Sequence, residues 1–545
     1  MGRFSLLLAL AAILVPLPSA AQGRDDGENA GRGPDVEIAP YIEAAQVVTA
    51  EIEPGDDVFT YTSLAAGVDA GFGTRYSQGS VSLRYERRIA YADDVADTDT
   101  LSGIARTSLA LGSPHVTFEA GALASRTRVD GGGAATIGNF GRRDDATSQV
   151  YAVYGGPSAA AMVGPAEVTA SYRLGYTRVE APDILPSVPG APTVDLFDES
   201  TTHNLGVRAG IAPDRVAPVG IGVGAGWNRQ DVSNLDQRLD DRYVRADVTY
   251  PVSPNVALVG GVGFEDIEVS GRDALRDADG DPVVGPDGRY VTDDGSARRI
   301  AYETDGLIGD VGVLWRPSRR TSLEAHVGRR YASTTYYGTL AYAPDARSSL
   351  NVSVYDTITG FGGQIVGALD EVGTDFDVYR NPVTGDLGGC VIGVGSGNNC
   401  ALARLGSLRS AIFRNRGVAA SYGRAMGRTS LGLGAGYDRR SFFGADGSVL
   451  AAVDGLVDEN FWLAAYATRR LDRRSSLSAG VSASYFDNAS SDLGDGLGYS
   501  ASLAYNRDII AGLSGTAAVS LDGISREILA DYLAASALVG LRYTY

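Results

Sequence analysis

One pair of residues has the types and the spacing for acid–base chemistry, Glu324 and His326. In a strand these two positions share a face, so the carboxylate could orient the imidazole for proton transfer. The other two histidines, His115 and His203, are distant in the sequence, and no nucleophile-elbow pattern around a serine accompanies them. We therefore predict that the chain is not an enzyme and that Glu324 and His326 belong to a polar network.

Arginines recur at positions that would share one face of several strands, with acidic residues between them. They are Arg84, Arg88, Arg173, Arg208, Arg245 and Arg330, and the acidic residues are Glu86, Asp247 and Glu324. Two interpretations remain open: ion pairs that neutralise one another on a buried polar surface, or a row of contacts for an anionic or hydroxyl-rich solute. The chain contains no lysine, which excludes Schiff-base and P-loop lysine chemistry.

Carboxylates crowd a polar stretch at residues 270–298. Asp277, Asp279 and Asp281 alternate beside Gly280, an arrangement that can wrap a calcium ion. The spacing does not match an EF-hand loop, which closes its coordination sphere with a glutamate. Calcium is the one cofactor that the sequence suggests. The formal net charge of −19 comes without a basic patch, so nucleic acid is not expected as a partner.

The elements that must carry these residues are clearest at the C-terminal end of the chain. From Leu533 onward, alternate residues form an apolar face that ends with Leu541, Tyr543 and Tyr545, and Leu538 is the one large apolar residue on the opposite face. A strand with one apolar side suits a lipid-facing barrel wall. This ending resembles the C-terminal assembly signal of bacterial outer-membrane barrels, which implies the barrel-assembly machinery as a partner.

The N-terminal end predicts export. A short basic start, an apolar stretch at residues 4–15 and the small residues Ser19-Ala20-Ala21 indicate a signal peptide over residues 1–21. Residues 22–35 are polar and glycine-rich, which predicts a disordered periplasmic lead. So short a lead leaves no room for an N-terminal plug, which disfavours a TonB-dependent receptor. No later segment reaches the roughly 18 apolar residues of a membrane-spanning helix.

Period-two alternation recurs from residue 36 to the C-terminus and is weakest at residues 147–165 and 332–356. Tight turns alternate along the chain with longer polar connections. We therefore predict an all-β fold over residues 36–545, a transmembrane antiparallel up-and-down β-barrel with about 22 strands (roughly 18 to 24). Its short turns would be periplasmic and its long loops extracellular. The predicted location is the outer membrane of a Gram-negative bacterium, with lipid around the barrel.

Two glycine-rich stretches, Gly222-Val-Gly-Ala-Gly226 and Gly432-Leu-Gly-Ala-Gly436, superficially resemble phosphate-binding loops. Their glycines alternate with apolar residues inside strand patterns, whereas a dinucleotide fingerprint needs a turn from a strand into a helix. We interpret them as glycines on the inner face of the wall.

The longest connection, residues 357–409, contains both cysteines, Cys390 and Cys400. An exported chain meets an oxidising compartment, so we predict a disulfide between them. A metal site would want more soft ligands than two. Because a barrel of this size encloses a wide lumen, the same loop is the candidate to fold inward and occlude it.

Two stretches are similar to a known family. They are Tyr151–Pro157 running on to Tyr172–Glu180, and Leu314–Tyr331, with its Trp-x-Pro turn and its Gly-Arg-Arg-Tyr ending. They resemble the outer-membrane β-barrel family associated with exopolysaccharide loci and the PEP-CTERM protein-sorting system, whose relatives are sometimes labelled preprotein translocase subunit YajC. The resemblance implies a role in surface polysaccharide export or assembly, with polysaccharide and export components as partners. It implies no catalytic residues.

The leading hypothesis from the sequence is therefore a non-enzymatic outer-membrane barrel that assists export or assembly of exopolysaccharide. The first alternative is a diffusion porin or solute channel with an open lumen. The second alternative is an outer-membrane hydrolase built around His326.

Overall fold

The computed structural model describes residues 35–91, 97–128, 147–180, 198–286, 288–345, 347–392, 402, 408, 410–487, 494–527 and 531–545. Its strands are β1 (Asp35–Glu53), β2 (Val58–Gly73), β3 (Ser77–Ala90), β4 (Thr98–Ala110), β5 (Val116–Arg128), β6 (Thr147–Val163), β7 (Ala166–Glu180), β8 (Glu199–Ile211), β9 (Gly220–Val232), β10 (Gln237–Ser253), β11 (Val256–Gly271), β12 (Arg299–Ser318), β13 (Thr321–Arg330), β14 (Ser333–Asp345), β15 (Ser348–Thr359), β16 (Asp377–Arg380), β17 (Leu387–Ile392), β18 (Phe413–Met426), β19 (Thr429–Phe442), β20 (Val457–Arg470), β21 (Ser475–Asp487), β22 (Gly496–Ile510), β23 (Leu513–Arg526) and β24 (Tyr532–Thr544). One α-helix of the described residues, α1 (Phe361–Asp370), follows β15, and short 3-10 turns occur at Asn234–Asp236 and Val449–Val453.

Twenty-two of these strands form one antiparallel sheet that returns to its start. Each strand pairs with its neighbour along the chain, β15 pairs with β18 across a long connection, and β24 pairs with β1. The sheet is therefore a ring, and the predicted strand number is confirmed. The two regions of weakest alternation contain β6 and most of the β14–β15 hairpin.

The two ends of the ring differ in their connections. At the end where β1 begins and β24 stops, which we call the turn end, adjacent strands are joined by short segments such as residues 164–165 and 427–428. At the opposite end, the loop end, the connections include residues 272–298 and 360–412. Residues 1–34, which hold the predicted signal peptide and nearly all of the predicted lead, lie outside the described residues.

The outer face of the ring is apolar. The strand pleat sends alternate side chains to opposite faces, and Leu307, Val311 and Val539 are among the large apolar residues left exposed on the outside. On β24 the predicted outward residues Leu541, Tyr543 and Tyr545 are exposed as well. β-branched and aromatic side chains of this kind favour extended backbone. No helix among the described residues is long and apolar enough to cross a membrane.

Glycines on the inner face make room for large side chains of the adjacent strand. Gly226 faces Tyr243 across the β9–β10 pair, and Gly432 faces Tyr466 across the β19–β20 pair. A Cβ at either glycine would lie inside the neighbouring ring's contact distance. The interpretation of these glycine-rich stretches as inner-wall strands is therefore supported by their packing, and no strand-to-helix turn occurs at either one.

Part of the long connection between β15 and β18 enters the lumen, the space that the ring encloses. We call residues 360–392 the inward segment; it comprises α1 and the β16–β17 hairpin. The segment reaches far toward the turn end, because Ser80, near the start of β3, donates from its hydroxyl to the Thr374 carbonyl (3.0 Å). The inward fold expected of this loop is thus present in the described residues.

The inward segment explains the apolar exception on the last strand. Leu538 is buried in a cluster that also contains Val47 of β1, Tyr61 of β2 and Val383 of the segment. Burial of such a side chain contributes roughly 1.5–3 kcal/mol. A larger cluster of the same kind packs α1 residues such as Phe361 and Ile365 against inner-face residues of β4 to β9.

Candidate functional site

A chain of ion pairs crosses the inner wall from β8 to β13. Arg208 donates two hydrogen bonds to Asp247 (2.7 and 2.8 Å), and Arg245 donates to Asp247 (3.0 Å). Arg245 also makes a two-bond contact with Asp310 of β12 (2.8 and 2.9 Å). Paired hydrogen bonds between a guanidinium and a carboxylate fix the orientation of both groups. The pairing therefore holds these guanidinium and carboxylate groups in fixed orientations.

His326 extends this chain to Glu324. Its Nδ1 is 2.8 Å from Asp310 Oδ2, its Nε2 is 3.1 Å from Glu324 Oε1, and its ring stacks on Tyr337 with centroids 4.7 Å apart. The imidazole is thus enclosed by two carboxylates and an aromatic ring. We name Arg208, Asp247, Arg245, Asp310, His326 and Glu324 the ion-pair chain. Within it the predicted Glu324–His326 pair belongs to a polar network.

Glycines of the wall strands leave space for the side chains of the ion-pair chain to lie against the inner wall. A Cβ at Gly222 would come within 2.5 Å of the Arg208 guanidinium. Cβ atoms at Gly261 and Gly312 would likewise collide with Arg245 and His326. A larger residue at these places would push the charged groups into the lumen, so the glycines keep the passage beside the chain wide.

Arg330 forms a second ionic group nearer the loop end. Its Nε donates to Glu265 (3.0 Å), and its Nη2 donates to both carboxylate oxygens of Asp241 (3.2 and 3.0 Å). The guanidinium also lies over the rings of Tyr243 and Tyr331, 4.8 and 4.6 Å from their centroids. Such contacts immobilise the arginine. Arg330 is therefore part of the wall structure.

Arg84, Arg88 and Arg173 lie where the inward segment docks. Arg84 pairs with Glu43 (2.9 Å) and Glu86 (3.0 Å). Arg88 pairs with Glu86 (2.8 Å) and donates to the Thr384 carbonyl of the segment (3.0 Å). Arg173 pairs with Asp370 at the end of α1 (2.7 Å). These arginines support the segment as well as the wall.

Two docking arginines escaped the sequence-based prediction. Arg126 makes a two-bond contact with Asp386 of the inward segment (2.9 and 2.8 Å). Arg106 donates to the backbone carbonyls of Val372 (2.9 Å) and Asp370 (3.1 Å). Their strands carry apolar residues on the inner face, such as Ile104 and Leu123, which are buried under the segment. Apolar residues at inward-facing positions of these strands were the sequence signal that could have indicated where the inward segment docks.

The inward segment also carries a half-buried arginine of its own. Arg380 donates to the hydroxyls of Ser102 (2.7 Å) and Ser82 (3.1 Å) and to the Gly385 carbonyl (3.0 Å). Nearby, the Tyr379 hydroxyl hydrogen-bonds to Ser502 on β22 (2.9 Å). The β16–β17 hairpin is thereby attached to both β3–β4 and β22, so it spans part of the lumen.

Beside the inward segment the lumen contains several cavities, of which one of about 620 Å³ lies between the β16–β17 hairpin and the turn end and two others lie along the ion-pair chain. Of these two, the first has a volume of about 670 Å³ and is lined by residues that include His115 at the turn end, Arg208 and Tyr337. The second has a volume of about 660 Å³, lies against α1 and is lined by residues that include Glu324, Thr359 at the loop end and the same Tyr337. Tyr337 and Asp356 line both cavities, so the two cavities are adjacent at Tyr337, between the loop end and the turn end.

The residues of the predicted calcium site form a local turn in the structure. Asp277 Oδ1 accepts hydrogen bonds from the backbone N–H groups of Asp279 (2.9 Å) and Asp281 (3.0 Å). The three residues are exposed, and among the described residues no three or more His, Cys, Asp or Glu side chains are grouped to hold a metal ion. The Asp277 carboxylate therefore stabilises a turn, and calcium binding by these residues stays a prediction.

The cysteine prediction is tested at one residue only. Cys390 is disulfide-bonded, and no described cysteine is a free thiol. Cys400 lies outside the described residues, so the pairing of these two cysteines stays a prediction.

Docking of α1 should depend on pH through Asp370. Burial raises the pKa of this carboxyl, although Arg173 and Arg106 act in the opposite direction. A carboxyl whose pKa is higher in the docked state binds its proton more tightly there, so acidification favours docking. In planar-bilayer recordings we expect transient channel openings, which require α1 to undock, to become rarer as the pH falls. The substitution Asp370→Asn should remove this pH dependence. More frequent openings at acidic pH would contradict the assignment.

Comparison with known proteins returns structures alone: no family model matches the chain, and no curated protein does. The FrpB iron transporter from Neisseria meningitidis (F3-3 variant) is 11% identical, with 93% of this chain and 81% of that chain covered and a TM-score of 0.42. The ferric-catecholate import receptor Fiu from E. coli K12 in its closed form is 10% identical, with 93% of this chain and 81% of that chain covered and a TM-score of 0.42. The copper transporter OprC is 11% identical, with 93% of this chain and 81% of that chain covered and a TM-score of 0.37.

The expected role in exopolysaccharide export is corrected here. The structures named above bear the names of an iron transporter, a ferric-catecholate import receptor and a copper transporter, and none of these three names refers to polysaccharide export. The lumen supplies the physical reason, because the inward segment packs against inner-face residues of the wall and is attached to β3, β4 and β22, where a polymer would have to pass. The resemblance of Leu314–Tyr331 to a polysaccharide-associated family stays a prediction. The argument against a TonB-dependent receptor rested on residues before Asp35, outside the described part.

The surface of the ring gives the location of the protein. A ring of strands with an apolar exterior is stable in lipid, because in water a large apolar area would remain exposed to the solvent. The chain lies in the outer membrane of a Gram-negative bacterium, in contact with membrane lipid.

Proposed function

We propose that this barrel imports a small polar solute across the outer membrane. The loop end would face the exterior and the turn end the periplasm, as the lengths of the connections favour. The observation that carries the proposal is the pair of cavities that are adjacent at Tyr337. A solute would enter beside α1, pass Tyr337 and leave near His115.

The lining of this path suits a hydrated solute. Its walls present Asn204, Asn228 and Thr339 beside the charged residues, so a solute can exchange hydration water for hydrogen bonds to the wall. Cavities of several hundred Å³ match small molecules. The inward segment occupies part of the lumen beside this path, which disfavours an unrestricted diffusion pore.

Filling the path should slow transport. Thr339 lines the second cavity and is exposed to the lumen, whereas its neighbour Leu340 has the opposite parity on β14. We expect Thr339→Trp to reduce the swelling of liposomes in isosmotic adipamide, a neutral polar probe, because the indole occupies cavity volume.

Leu340→Trp is the matched control, since its indole would lie in lipid. It should swell liposomes at the rate of the unmodified protein. Absence of swelling with the unmodified protein, or equal rates for Thr339→Trp and the unmodified protein, would contradict import through this path.

A further inference from the structure

Two charges of the ion-pair chain remain accessible from the lumen, and they have opposite signs. The side chain of Arg208 is 50% exposed and that of Glu324 is 49% exposed. The members between them are covered: the exposed fractions are 3% for Asp247, 18% for Arg245 and 4% for His326. A solute beside the chain therefore meets one positive and one negative group.

These two groups lie in different cavities of the same path. Arg208 lines the first cavity and Glu324 lines the second. They interact electrostatically, although no hydrogen bond joins them among the described residues. A solute at Tyr337, where the cavities are adjacent, can reach both.

Both charges are held in place before any solute arrives. Two hydrogen bonds to Asp247 orient the Arg208 guanidinium, which has further N–H donors to offer. His326 contacts one oxygen of Glu324, and the other oxygen has no hydrogen-bond partner among the described residues. Preorganised groups of this kind lose little entropy when a ligand binds.

We propose, on the basis of the import function above, that the solute is zwitterionic. Its anionic group contacts Arg208 and its cationic group contacts Glu324. A solute with one charge gains one of these contacts and is repelled by the other group. A zwitterion gains both, and each contact at such half-exposed groups is worth up to about fivefold in affinity.

The test uses four probes of matched size, so that charge alone differs. They are 6-aminohexanoate (zwitterion), 6-aminohexanamide (cation), adipamate (anion) and adipamide (neutral). Swelling rates of liposomes that contain the full-length protein are compared at pH 7. We expect 6-aminohexanoate to enter at least several-fold faster than the singly charged probes.

Two variants assign the contacts. Arg208→Gln should remove the preference for 6-aminohexanoate over the cation, and Asp247 would keep its pair with Arg245. Glu324→Gln should remove the preference over the anion, and His326 would keep its contact with Asp310. Arg242→Gln is the control, since Arg242 pairs with Asp240 on the outer face and should leave all four rates unchanged.

The outcomes separate this proposal from the import function. Entry of all four probes at similar rates would overturn the zwitterion proposal and leave import intact. Preference for the cation or the anion alone would also overturn it. Failure of every probe to enter would overturn the import function itself.

Discussion

Deletion of residues 363–409 is expected to turn the barrel into a channel of much higher conductance. The removed part includes most of α1, the β16–β17 hairpin and both cysteines, so no free thiol is left behind. A short Gly-Ser linker from Gly362 to Ser410 suffices, because Thr359 and Phe413 are paired residues of β15 and β18. A ring of this many strands is wide when nothing fills it.

Single-channel recording in planar bilayers measures this effect. The folded barrel should persist, because each of its strand pairs is retained, although apolar inner-wall residues such as Leu123 and Leu538 lose their cover. Retention of heat-modifiable electrophoretic mobility would establish that the ring has formed. If a folded deletion variant conducts no better than the full chain, the inward segment does not restrict the path.

Replacement of Gly480 by valine is expected to displace the hairpin and to raise the conductance several-fold. Gly480 lies on the inner face of β21, and a Cβ there would collide with the Tyr379 hydroxyl of the segment. The same hydroxyl holds the hairpin to Ser502. The wall strand itself should tolerate valine, which favours extended backbone.

A control substitution at another glycine and a second variant of the same contact test this prediction. Gly71 also lies in a wall strand, but a Cβ there would meet nothing within 4 Å, so Gly71→Val should leave the conductance unchanged. Tyr379→Ala should raise the conductance by loosening the same contact. Because both substitutions act on one interaction, their effects should not add. Additive increases would show that Gly480→Val acts elsewhere.

Alternation along the chain was sufficient to predict the fold, because a strand shows its two faces in its own sequence. The apolar parity of β24 and the turn at Gly427-Arg428 can be read locally, and so can the number of strands. The placement of Arg208 or Arg245 on the inner face follows from the same parity.

The partners of those side chains could not be read in this way. Arg208 and Asp247 are on strands that are separated by β9, and Arg126 meets Asp386 from a different part of the lumen. Such contacts depend on ring geometry and on a long loop, neither of which leaves a local pattern. Leu538 was the informative exception, since an apolar residue on a polar face marks where the lumen is filled.

The residues of Leu314–Tyr331, the motif that suggested polysaccharide export, have packing and ion-pair contacts in the barrel wall. Trp315 lies on the outer face, and Gly328 approaches the Gly309 carbonyl so closely that a Cβ would not fit. Arg330 is held by Glu265 and Asp241. These residues build the β12–β13 hairpin and the ionic group at its end. Any barrel with this hairpin could need them, so they carry little information about the cargo.

The contact between Val383 and the two end strands has a consequence for the order of assembly. Val383 packs in one cluster with Val47 of β1 and Leu538 of β24. Its full binding surface exists only after β1 and β24 have met. The segment can therefore complete its docking only in a finished barrel, and an intermediate with an open seam would expose Val383 and Leu538 to chaperones.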